Sequence, residues 1–228
     1  MSVEFAAGVV LIVAPVWFNA TFAVLGKRFD YPDILRRPTA EILERFRAGG
    51  SSLILLWWAF MLSGLLLIAG ALLLGQVLGF AGITPVATAF GVLAGFAQML
   101  GLLRWVYLVP GLARAHADPT LTREERDMHA VVFRALHQYL GVGVGEHLGY
   151  LFTGIWSVLI GIAVIQGAAL PTWLGWPGIV IGAGLAVGSA EFLGPNEERG
   201  WALAAAAIPI LYVAWSGWLL ALGIALIG

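Results

Sequence analysis

Six long apolar runs, separated by short polar segments, set the plan of the chain. Runs of this length predict membrane-spanning helices, and they fall at residues 5–25, 53–75, 86–110, 138–166, 173–194 and 201–227. Pro15 and Pro209 lie inside the first and last runs. Each removes a helix hydrogen bond and predicts a kink that neighbouring helices accommodate. The first run follows Glu4 rather than a basic stretch, and no A-x-A-like cleavage site follows it, so it reads as a span and not as a signal peptide.

The polar segments have patterns of their own. In KRFDYPDILRRPTAEILERFRAGG, residues 27–50, a helix is predicted from about Pro38. Ile42, Leu43 and Phe46 share one face of it, while Glu41, Glu44, Arg45 and Arg47 take the other, the pattern of a helix lying in the headgroup layer. Trp57 and Trp58 read as interfacial anchors for the second span. In the segment 111–137, Thr122 followed by Glu125 makes a capping box that opens a helix continuing into the fourth span, to about Gln166. The fold expected is all-α: one domain, 1–228, of six transmembrane helices, with a cytoplasmic interfacial helix and a long fourth helix extending into the cytoplasm.

Composition makes the membrane assignment firm and gives it a direction. A chain that is 61% hydrophobic and 11% charged, with mean hydropathy +0.93, lies outside the range of soluble domains. Of its twelve lysines and arginines, six fall in the segment after the first span, four after the third and one after the fifth; the last, Arg104, is near the same side. The positive-inside rule makes these three segments cytoplasmic and both termini extracytoplasmic, in a multi-pass protein of the cell membrane.

Several chemistries are excluded by residue type. With no cysteine there are no disulfides, thiolate nucleophiles or cysteine-held metals. The histidines at 116, 129, 137 and 147 have no metal-ligand spacing, and Glu146 and His147, adjacent on a helix, diverge by about 100°. His137 and His147 stand about 15 Å apart along one helix, too far to sandwich a haem. No metal or other cofactor is expected. A serine nucleophile elbow is missing, and nucleic acid has no basic aromatic surface to bind.

The informative polar residues are those inside the spans. The stretch YLGVGVGEHLGYLFTGIWS, 139–157, carries Glu146 and His147 in an otherwise apolar helix, and ionisable groups at such positions are functional candidates. Tyr139, Gly143, Glu146, Tyr150, Thr153 and Ser157 align at steps of four and three into a polar stripe. Gly141, Gly145 and Gly149 form a second ridge suited to close helix packing. Arg104 lies about 9 Å inside the end of the third span and Glu146 about 8 Å inside the fourth, so an ion pair between them is expected.

Two readings follow. Arg104 and Glu146 pin helices together, with His147 and Asn19 satisfying neighbours; or Arg104, Glu146, His147, Asn19, Tyr150 and Glu191 line a pocket open to the cytoplasmic leaflet, with Tyr107 in its wall. His137 reads as an interfacial side chain. The pocket would bind or pass a small or amphipathic molecule, a lipid included. A membrane-embedded enzyme acting on lipid, with Glu146 or His147 as general base, and a structural or regulatory partner of another membrane protein are the alternatives. No catalytic residue is assigned.

FDYPDILRRPTAEILERF in the first polar segment, GLLRW at 101–105 and HQYLGVGVGEHLGY at 137–150 together resemble a family of bacterial polytopic membrane proteins classed as a domain of unknown function. The resemblance spans nearly the full chain and implies a six-helix bundle. Its most distinctive stretches contain Arg104, His137, Glu146 and His147, and it implies no activity.

Overall fold

The computed structural model describes residues 2–228, the side chains of residues 197 and 198 excepted. Six helices carry apolar stretches long enough to cross a membrane: α1 (Val3–Phe29), α2 (Thr39–Val77), α3 (Thr84–His116), α4 (Arg123–Gln166), α5 (Thr172–Phe192) and α6 (Ala202–Ile227). No strand occurs among the described residues. Each helix packs on the next in sequence, and α6 returns to α1, which closes a ring. The connections after α1, α3 and α5 gather at one end, called here the charged end.

Small residues set the helix spacing. A Cβ on Gly154 of α4 would lie 2.5 Å from both the Gly182 carbonyl oxygen and the Ala186 nitrogen of α5, so backbone meets backbone there. The same close approach joins α2 to α3 at Gly64 and Gly95, and α1 to α6 at Gly8 and Gly223. Where lipid is as apolar as leucine, such contact is what distinguishes helix from solvent.

Two apolar clusters fill the ring. One joins Leu11, Leu74, Trp156, Trp215 and Trp218; the indole nitrogens of Trp215 and Trp218 donate to Ser157 Oγ at 2.9 Å and to the Leu174 carbonyl at 2.8 Å. The other, at the charged end, is built on Trp57 and Trp105, whose rings stack 4.5 Å apart with Phe29 and Phe46 against them.

This second cluster departs from expectation in two places. Trp57 is buried in protein and anchors no interface, whereas its neighbour Trp58 is exposed. Ile42, Leu43 and Phe46 are likewise buried, so the amphipathic face of that helix covers Phe29 and Trp105 instead of lipid headgroups. Gly50, at φ 56° and ψ −156°, supplies the bend between this segment and the rest of α2, in a conformation that residues with a Cβ rarely take.

α4 opens as expected: Thr122 accepts from the Glu125 amide at 3.2 Å and its own amide donates to the Glu125 carboxylate at 2.8 Å. α3 runs past Pro110 to His116. Arg104–Leu108 winds as a π-helix, and Pro110 falls in the first turn after it, where a missing N–H disturbs least.

Candidate functional site in the charged half of the ring

α4 also leaves α-helical geometry, over His137–Leu148, again as a π-helix. Such widened turns are rare and recur at functional sites. The two widened stretches belong to neighbouring helices. Just before the first of them Gly101 packs on Gly145 of the second, a Cβ on Gly101 falling 2.5 Å from the Gly145 Cα. One turn further along, the Arg104 guanidinium fills the hollow left by Gly141, where a Cβ would meet it at 2.7 Å.

Arg104 is therefore buried, at 5% exposure. It donates to the Gly101 carbonyl and lies 5.2 Å from the Trp105 ring, and its Nε has no partner. The expected ion pair does not form: among the described residues no carboxylate comes within 4.0 Å of Arg104, Glu146 included. Similar depth was the basis of that expectation, but depth does not fix direction around a helix. Gly141 and Trp105 hold the guanidinium on its own side.

Arg104 and Glu146 instead line one cavity of about 530 Å³, within the usual range of ligand sites. Asn19, Tyr150 and Glu191 line it as well. Asn19 Nδ2 donates to the Pro15 carbonyl at 2.7 Å and to Ser216 Oγ at 3.0 Å, joining α1 to α6. Tyr150 packs on Phe192 and Tyr212, with ring centres 5.4 and 5.1 Å away.

His147 is not among the lining residues. Its Nδ1 meets the Ser189 carbonyl at 2.9 Å, tying α4 to the end of α5. Tyr107 is 75% exposed and also outside the cavity. His137 sits in the aromatic cluster, stacked on Phe133 at 5.5 Å and edge-on to Trp105, rather than at an interface. No group of three His, Asp or Glu side chains among the described residues is arranged to hold a metal.

Much of the wall was not foreseen. Phe18 and Phe22 of α1, Phe60 of α2, Gln98 of α3 and Tyr212 of α6 line the cavity, as do Tyr31, Pro32, Leu35 and Arg36 of the α1–α2 connection. That connection is held down by charges: Arg37 pairs with Asp30 and with Glu41, and Arg45 reaches Glu41 at 3.4 Å and Asp30 at 3.7 Å. Burial above all, with the Glu146 carboxylate adding to it, pushes the Tyr31 phenol up, so that hydroxyl stays neutral. A signal existed in the tyrosines. Three of the five, Tyr31, Tyr150 and Tyr212, line the cavity, and a buried phenol needs a polar partner.

The helices define an integral membrane protein, a ring of six candidate spans with a mostly apolar cavity in its charged half. The chain belongs to the family described as Domain of unknown function (DUF4386), whose model matches residues 6–223. No curated protein and no solved structure matches it significantly.

Proposed function

We propose that this protein binds a small amphipathic molecule in the cavity bounded by Arg104 and Glu146. The observation that carries the reading is the state of Arg104: a buried cation, with no carboxylate in pairing range and an unused Nε, beside a ligand-sized hollow. An uncompensated buried charge costs several kcal/mol, and a helix-pinning role would have spent it on a partner. An anionic group in the cavity offsets that cost. Mass spectrometry of an organic extract tests the idea. The purified protein is expected to retain an amphiphile that is lost from Gly149→Leu, whose new side chain enters open space in the cavity wall. Equal retention by both proteins would count against the site.

The same reading takes the chain as one six-helix domain of the cell membrane, with the charged end in the cytoplasm. The helix before Gly50 and the first turns of α4 then lie on the cytoplasmic side, and the cavity sits in that leaflet. A reporter fused after Gly228 is expected to behave as extracytoplasmic, and one inserted between Gly111 and Leu121 as cytoplasmic. The reverse pattern would invert the orientation.

A further inference from the structure

The cavity has a side as well as a mouth. α1 and α6 are tightly apposed away from the charged end, where a Cβ on Gly8 would lie 2.7 Å from the Gly223 carbonyl, and their last polar contact is Asn19 to Ser216. Beyond that contact α6 contributes five residues to the cavity wall: Ile208 is buried and Tyr212 half-buried, whereas Ala205, Pro209 and Val213 are exposed, Val213 at 68%. An apolar residue this exposed on a membrane helix faces lipid. The cavity thus meets the surrounding bilayer between the charged-end halves of α1 and α6.

Four charged residues line it, Arg36, Arg104, Glu146 and Glu191, and of these Arg104 and Glu146 sit on the neighbouring helices α3 and α4. Arg104 has an unpartnered donor, and the Glu146 carboxylate has no cation within pairing distance among the described residues. Their helices keep them apart, so a ligand with one charge satisfies only one of them and leaves the other buried at a cost. A ligand with an anion and a cation a few bonds apart satisfies both. A carboxylate accepts hydrogen bonds from a primary ammonium, whereas a quaternary trimethylammonium has no N–H to donate. The rings of Tyr31, Tyr150 and Tyr212, which line the same cavity as Glu146, add faces for that cation. The apolar rings of Phe18, Phe22 and Phe60 remain for hydrocarbon.

Resting on the cavity reading above, we propose that the ligand is a zwitterionic phospholipid of the phosphoethanolamine type. It is admitted sideways between α1 and α6, with its phosphate at Arg104 and its ammonium at Glu146.

The test is thermal unfolding of the full chain in a neutral detergent, titrated separately with dioleoyl phosphatidylethanolamine, phosphatidylcholine, phosphatidylglycerol, diacylglycerol and soluble glycerophosphoethanolamine. The ethanolamine lipid is expected to bind at least tenfold tighter than any of the others. Glu146→Gln should erase its advantage over phosphatidylglycerol, and Arg104→Met should bring both down to the level of diacylglycerol. Ala205→Trp, which obstructs the opening between α1 and α6 and leaves the charges in place, should weaken the lipid at least tenfold while leaving the soluble headgroup unchanged. That variant keeps the proposal falsifiable if either charge variant fails to fold. Equal affinity for the choline lipid overturns the primary-ammonium assignment, and equal affinity for phosphatidylglycerol or diacylglycerol overturns the zwitterion. Soluble headgroup binding as tightly as lipid overturns admission from the bilayer. In each of those cases the cavity itself still binds. Stabilisation by none of the five, with Gly149→Leu indistinguishable from the parent in both unfolding and extract, overturns the cavity reading as well.

Discussion

Gly154→Ala is expected to destabilise the protein by roughly 3 kcal/mol, the upper part of the usual range for forcing an extra carbon into a packed core. The new methyl would lie 2.5 Å from two backbone atoms of α5, and backbone has no rotamer with which to yield. Relief requires α4 and α5 to separate along their length, which also opens the reciprocal contact of Gly182 with the Gly154 carbonyl. Gly149→Ala, five residues earlier on the same helix, meets nothing within 4 Å and is expected to be neutral or to stabilise by up to about 1 kcal/mol through helix propensity. Reversible unfolding in detergent measures both. Similar losses at the two positions would mean that the α4–α5 contact is looser than described.

For Arg104→Met, stability should change little and binding much. Breaking a buried ion pair would leave Glu146 stranded at a cost of about 3–5 kcal/mol. With no such pair to break, the substitution removes a buried charge that has no counter-ion and loses the hydrogen bond to the Gly101 carbonyl and the contact with the Trp105 face, the latter worth about 0.5–2 kcal/mol in general. These effects oppose each other, and the free protein is expected to stay within about 1.5 kcal/mol of the parent. The loss is expected in ligand-induced stabilisation, which at a ligand concentration of 100 times its dissociation constant amounts to about 2.7 kcal/mol. A destabilisation of 3 kcal/mol or more in the free protein would show that Arg104 is paired after all.

The spans were legible because hydropathy is a sum over twenty or so residues and tolerates local error. The capping box was legible because Thr122 and Glu125 satisfy each other within one turn, independent of anything distant. Glu146, Tyr150 and Thr153 were legible as a stripe, and all three face the cavity. Tyr139, assigned to the same stripe, is 68% exposed, because the π-helical turns between it and Glu146 break the period on which the stripe was drawn.

The remainder had no local signature. Phe18, Phe22 and Phe60 are apolar residues in apolar helices, and nothing in their spacing separates a cavity wall from a lipid-facing surface. Trp57 and Trp58 illustrate the same difficulty: adjacent indoles near a helix end, one stacked on Trp105 and the other exposed. Tyr31 to Arg36 read as an interfacial loop because charge marks a segment as solvated without saying what it folds over.

The wide turns of α4 make chain length, more than residue identity, the quantity that aligns the two ends of this helix. A π-helical stretch accommodates residues that an α-helix of the same rise would not, and each residue corresponds to about 100° of rotation. Deleting one residue between His137 and Leu148 would let the stretch tighten toward α-geometry and turn the part of α4 that carries Phe133 relative to the part that carries Thr153. Ser157 would keep its place against Trp215, while Phe133 would swing away from Trp105. The helix behaves as a shaft with a keyed coupling, and the key is a residue count.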